Sequence, residues 1–189
     1  MMVSSRFIER FGVTLYICDI TSYICDITSS APGEKRRAER EAVLKLVHEA
    51  FGPDVGYTHD ADGAPVVEGV DSYISVSHCS DRAVLAVRNE GPVGVDIERF
   101  RPQLRRIARK FLTDAESAAA PLTDEALLRL WTAKEAVFKA ASDPSLTVSR
   151  IEVDLSSSTA VTPSGLCFSM EFLGDNTSLT AIAIPLICK

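Results

Sequence analysis

Two carboxylates separated by one residue, Asp96 and Glu98, stand in the stretch Val93-Gly-Val-Asp-Ile-Glu98. In a strand alternate side chains share a face, so this pair would point together while Val95 and Ile97 point the other way. Adjacent carboxylates repel unless a cation, a proton or an arginine stands between them. The spacing suits a cation site, and equally the acidic outer face of a half-buried strand. A third carboxylate occurs in Leu130-Trp-Thr-Ala-Lys-Glu-Ala-Val-Phe-Lys139. At helical spacing Glu135 and Lys139 are neighbours on one face, with Trp131 and Phe138 expected elsewhere as anchors. Alone, that pair also reads as a surface ion pair. Ser77 and His78 close Ile74-Ser-Val-Ser-His78, where a hydroxyl and an imidazole either donate to a phosphate or make structural hydrogen bonds.

Taken together, Asp96, Glu98 and Glu135 form a hard-oxygen set of the kind magnesium takes alongside substrate phosphates and water. Lys139, one helical turn past Glu135, would reach the same phosphates. Metal, cation and carboxylate are the parts that phosphoryl-type transfer needs. No P-loop, GxGxxG or HExxH accompanies them.

The elements that must position these residues follow from apolar spacing. A strand is expected around Val13–Ile17, and a helix from Glu34 carries Val43, Leu46, Val47, Ala50 and Phe51 at 3.6-residue spacing up to Gly52-Pro53. Strands are expected at Tyr73–Ser77, Ala83–Arg88 and Val93–Ile97. A helical block runs from near Pro102 to Phe111, and Thr113-Asp-Ala-Glu116 has the form of a capping box opening a short helix. The strongest helix spans Asp124 to about Ala141, followed by strands at Arg150–Leu155, Leu166–Phe172 and Leu179–Leu186. Strands grouped beside helices argue for an α+β fold with mostly antiparallel sheet. Each half offers a long helix and strands, which predicts two similar subdomains, 1–90 and 91–189. The heptapeptide Tyr16-Ile-Cys-Asp-Ile-Thr-Ser22 is repeated at once as residues 23–29. A strand through both copies would turn equivalent residues to opposite faces, so one copy is expected in a strand and the other in a loop.

A net charge of −6 argues against a general nucleic-acid binder. Against that background Arg99, Arg101, Arg105, Arg106, Arg109 and Lys110 form a run without an acid, either a solvated helix face or a docking surface for an acidic partner. The five cysteines, Cys18, Cys25, Cys79, Cys167 and Cys188, form no CxxC pair, and their odd number fits a reducing cytoplasm. No apolar run approaches the roughly 20 residues that span a bilayer, so no membrane partner is expected.

The segments GVDIE and WTAKEAVFKA in this order, with SVSHCSDRAVLAV ahead of both, resemble the 4'-phosphopantetheinyl transferase superfamily. Within it the chain is similar to the monomeric, two-subdomain kind that activates peptide, polyketide and fatty-acid synthases. The resemblance covers about Ile74 to Ala140. It implies a pseudo-twofold α+β fold with coenzyme A between the halves, the N-terminal one on the adenosine side. It further implies transfer of the 4'-phosphopantetheine group to a serine of an apo acyl or peptidyl carrier protein, with Mg2+ or Mn2+, releasing 3',5'-ADP. Asp96, Glu98 and Glu135 would then be the metal ligands, and Glu135, directly or through water, the base. Lys139 would steady the pyrophosphate, and Ser77 and His78 would hold the adenosine-side phosphates. Family members often carry Gly-Lys-Pro where this chain has Gly63-Ala64-Pro65, so that phosphate contact is either absent or supplied by Arg36, Arg37 or Arg40. Carrier proteins are typically acidic around the modified serine, which makes Arg99–Lys110 the expected docking surface. A carrier-binding module without turnover is the alternative that keeps the same fold.

Overall fold

The computed structural model describes residues 3–21, 32–101, 103–118 and 122–186. Contacts divide the chain into two compact units, Met1–Gly91 and Pro92–Lys189.

In the first unit β1 (Val3–Ile8), β2 (Val13–Asp19), β5 (Tyr73–His78) and β6 (Arg82–Arg88) form an antiparallel sheet in the order β1-β2-β6-β5. Helix α1 (Pro32–Phe51) packs on β2 and β6. Its apolar stripe of Ala38, Ala42, Val43, Leu46 and Val47 closes against Cys18, Ile20, Ala83 and Leu85. The alternation that sends Ile74 and Val76 to this core sends Ser75 and Ser77 to the opposite face of β5. Gly52, with φ 107°, ends α1 in a conformation that only glycine adopts readily, its N–H returning to the His48 carbonyl. A short hairpin of β3 (Tyr57–His59) and β4 (Pro65–Val67) follows.

The second unit places β7 (Gly94–Arg99), β8 (Glu152–Asp154), β9 (Thr159–Val161), β10 (Cys167–Gly174) and β11 (Ser178–Pro185) in one antiparallel sheet of order β7-β11-β10-β9-β8. Helices α2 (Gln103–Ile107), α3 (Asp114–Ala118) and α4 (Asp124–Ala141) lie between β7 and β8 in sequence. Helix α4 packs on β7 and β11, with Ala133, Ala136, Val137 and Ala140 against Phe168, Met170, Ala181 and Ala183. Thr123 caps it by accepting the Ala126 N–H at 3.1 Å. The capping box of α3 is formed in both directions. The Thr113 N–H donates to Glu116 Oε2 at 2.9 Å, and the Glu116 N–H donates to Thr113 Oγ1 at 3.2 Å.

The fold is α+β, each unit carrying an antiparallel sheet and one long helix. Of the repeated heptapeptide, Tyr16–Asp19 lies in β2, while the second copy falls outside the described residues. Three short strands, β3, β4 and β9, and the exposed edge strand β1 lack the apolar alternation that would announce them. Among the described residues no helix is long and apolar enough to cross a membrane.

Candidate functional site

Strand β7 sits at the edge of its sheet, paired only with β11, with Asp96 opposite Ala181 and Glu98 opposite Leu179. Gly94, Asp96 and Glu98 share the face turned to α4. A β-carbon on Gly94 would meet the Ala136 carbonyl, Asp96 bonds Lys139, and Glu98 bonds Trp131. A two-residue step along a strand covers about 6.6 Å and a four-residue step along a helix about 6 Å. Alternate residues of β7 can therefore meet every fourth residue of α4. Trp131, Glu135 and Lys139 are that stripe. Trp131 accordingly lies on the same stripe as Glu135, correcting the expectation that it stands elsewhere; the i, i+4 spacing was the overlooked signal. Phe138, expected as an anchor, is 37% exposed.

Asp96 is buried, and its Oδ1 accepts from the Lys139 ammonium at 2.8 Å. The same ammonium donates to the Val95 carbonyl at 2.9 Å. Glu98 is held through one oxygen, Oε1, which accepts the Trp131 indole N–H at 3.0 Å and the Arg101 guanidinium at 2.8 Å. Trp131 in turn packs edge-on against Phe111 at 5.2 Å between ring centroids. Burial pushes the Glu135 carboxyl above the ordinary carboxylate range, and the charges of Asp96 and Glu98 push the same way against the pull of Lys139. Glu98 is likewise raised, first by burial, with Asp96 adding to it and Trp131, Arg101 and Lys139 opposing. Three carboxylates thus face Lys139 and Arg101, an excess of negative charge in a partly buried place.

Among the described residues no three His, Cys, Asp or Glu side chains converge as a ready-made metal site. The donor set nonetheless suits a hard divalent cation in kind and in charge, since all donors are carboxylate oxygens and two are raised by mutual repulsion and burial.

The other residues singled out by sequence lie in the first unit. Ser77 is buried on β5, opposite Val84 of β6, and His78 ends the strand. His78 Nδ1 lies 3.6 Å from Glu39 Oε1 on α1, and Lys35 Nζ lies 3.8 Å from the same oxygen. Arg37 is exposed and tied to Glu41 at 2.7 Å. The turn at Gly63-Ala64-Pro65 is closed by Asp60, whose Oδ1 accepts the Ala64 N–H at 2.8 Å, and none of its three residues carries a cation. In the basic segment Arg105 is committed to Asp124 and to the Leu122 carbonyl, whereas Arg106, Arg109 and Lys110 are exposed. Sequence reasoning missed Arg101 and Trp131 as partners of Glu98 and Glu39 as the neighbour of His78. Arg101 was detectable as a base three residues past Glu98; Glu39 left no signal, because its pairing spans separate elements.

Residues 92–181, which hold all four of Asp96, Glu98, Glu135 and Lys139, match the family described as the 4'-phosphopantetheinyl transferase superfamily. The chain is 32% identical over 127 residues to the 4'-phosphopantetheinyl transferase psf-1 of Bacillus pumilus, a match covering 62% of this chain and 52% of that protein. It is 31% identical over 119 residues to the 4'-phosphopantetheinyl transferase AcpT of Salmonella typhi, covering 59% of this chain and 62% of that one. The AcpT of Salmonella typhimurium matches at 32% with the same coverage. The chain thus spans 52% to 62% of the length of these curated relatives. The likeness to the 4'-phosphopantetheinyl transferase superfamily is thus carried by the second unit, residues 92–181, and by curated relatives that are 31–32% identical to this chain.

Proposed function

We propose that this protein transfers the 4'-phosphopantetheine group of coenzyme A to a serine hydroxyl of an apo carrier protein, in a magnesium-dependent reaction that releases 3',5'-ADP. The observation that carries the reading is the meeting of Asp96, Glu98, Glu135 and Lys139 across β7 and α4, within the segment that matches the superfamily. Asp96, Glu98 and Glu135 would hold Mg2+ or Mn2+. When bound, such a cation supplies charge neutralisation for the pyrophosphate and polarises its phosphoryl oxygens.

The chain's own residues supply the rest. Glu135 takes the proton of the carrier serine, directly or through water. Its raised pKa supports this role, because a carboxylate made reluctant to stay charged is a stronger base. The serine oxygen forms a bond to phosphorus, the bond to the bridging oxygen of the pyrophosphate breaks, and 3',5'-ADP leaves with that oxygen. Lys139 donates to the phosphate oxygens. Ser77 and His78 hold the adenosine-side phosphates, with Arg37, Arg36 or Arg40 of α1 supplying the cation that Ala64 lacks. The carrier docks near Arg99–Lys110. On this reading the enzyme acts as a cytoplasmic monomer in fatty-acid, polyketide or nonribosomal peptide synthesis.

The test is a mass spectrum of apo acyl carrier protein incubated with this protein, coenzyme A and Mg2+. A gain of one phosphopantetheine group that disappears with chelator supports both reaction and metal. No gain with several unrelated carriers, while coenzyme A still binds, would instead indicate a carrier-binding module without turnover.

A further inference from the structure

Lys134 adjoins Glu135 in α4, yet its side chain is wholly buried, with 0% exposure. Its ammonium lies 2.7 Å from Glu116 Oε2 and donates to the Ile151 carbonyl at 2.6 Å. Glu116 is also the closing residue of the α3 capping box, and its Oε1 accepts the Val153 N–H at 3.1 Å. The cluster therefore joins α3, α4 and the entry to β8. Burial works against the Lys134 charge and Glu116 works for it, burial being the larger influence.

A buried ion pair is a poor source of stability, because desolvating both charges costs about as much as their attraction returns. What it adds is direction. The face of α4 against the sheet is built from three alanines, Ala133, Ala136 and Ala140, with Val137 as its larger side chain, and it closes on Gly94 of β7. Small side chains let backbones approach, but they offer few ridges to stop a helix from turning or sliding. Lys134 and Glu135 project about 100° apart around the helix, so a clamp on one sets the bearing of the other.

We propose that the Lys134–Glu116 pair is a positioning device for the acid site: it sets the rotation and axial register of α4 against β7, and hence where Glu135 and Lys139 stand beside Asp96 and Glu98. This rests on the function proposed above. It asks that activity and stability come apart when the pair is replaced.

The experiment compares wild type, Lys134→Met, Glu116→Gln and the double variant; these keep side-chain length, and the single amide oxygen left by Glu116→Gln can accept from Thr113 or from Val153 but not from both. Each single variant should lose stability, since the first leaves a buried carboxylate and the second a buried ammonium. The double variant, with no buried charge, should recover what the unpaired charge cost, short of the one backbone acceptor that Glu116→Gln removes. Its kcat should nevertheless stay down by about tenfold or more, because misplacement by an ångström costs about a hundredfold, while KM for coenzyme A and for carrier hold. The emission of Trp131, the one tryptophan of the chain, should also change, because its bond to Glu98 depends on the same register. Recovery of kcat along with stability would overturn the proposal and leave the pair structural. Should the double variant not fold, Glu116→Asp, which keeps both charges and draws them apart, is judged by the same readouts. Absence of transfer by wild type would remove the functional reading alone. Trp131 emission in the refolded variants then decides, and a wild-type spectrum overturns the proposal.

Discussion

A β-carbon placed on Gly94 would lie 1.9 Å from the carbonyl oxygen of Ala136. Strand β7 and helix α4 therefore touch backbone to backbone, with the glycine providing the gap that lets Asp96 reach Lys139. Gly94→Ala should force the two elements apart, at an overpacking cost of about 1–3 kcal/mol, and lower transfer with it. Urea unfolding measures the first effect and single-turnover transfer the second. An unchanged midpoint would mean that the contact relaxes freely.

Glu135→Gln keeps the shape of the side chain and removes both a charge and a proton acceptor. Transfer should fall to background while the unfolding midpoint stays near that of wild type or rises, because a carboxylate strained by burial and by Asp96 is gone. Near-normal turnover in this variant would sink the assignment of Glu135 as base and ligand.

Glu98 and Glu135 both have carboxyls raised by burial and by Asp96. A group with a folded pKa above its unfolded value binds more protons when folded. The contribution of these two groups to stability is then greatest below the ordinary carboxylate range and falls as pH rises through the raised pKa. In chelator, unfolding free energy should decline across that window, and Glu135→Gln should flatten the decline. Added Mg2+ should restore stability above the window in proportion to the logarithm of its concentration. A pH series of urea midpoints with and without the ion checks both signs.

Arg106 and Arg109 are exposed, whereas Arg105 secures α2 to the start of α4 through Asp124. Charge reversal at Arg106 and Arg109 should raise KM for the carrier several-fold and leave KM for coenzyme A unchanged, with the difference shrinking as salt is added. Steady-state kinetics at two ionic strengths would show it. Equal effects on both substrates would place carrier docking elsewhere.

Much of the acid site was legible because its rules are periodic. The two-residue repeat put Asp96 and Glu98 on one face, and the four-residue repeat joined Glu135 to Lys139; both hold in the structure. The capping box at Thr113 and the extent of α4 were equally readable, since both depend on neighbours in sequence. What escaped reading is what spans elements. Nothing local marks Glu116 as the partner of Lys134, because the residues that bury the lysine come from α3 and the approach to β8. The hairpin of β3 and β4 escaped for another reason: strands of three residues contain too few alternations to register as a period.

The ladder between β7 and α4 also bears on how this site can change over time. Inserting a single residue between Asp96 and Glu98 would turn one of the two acids to the opposite face of the sheet. A single insertion within Trp131–Lys139 would swing part of the stripe about 100° away from the strand. Neither error could be mended by substituting one side chain. Descendants of this chain can therefore exchange residues along both elements away from Gly94, Asp96, Glu98 and the Trp131–Glu135–Lys139 stripe, but not lengthen either, so variation in length should collect in the connections outside them.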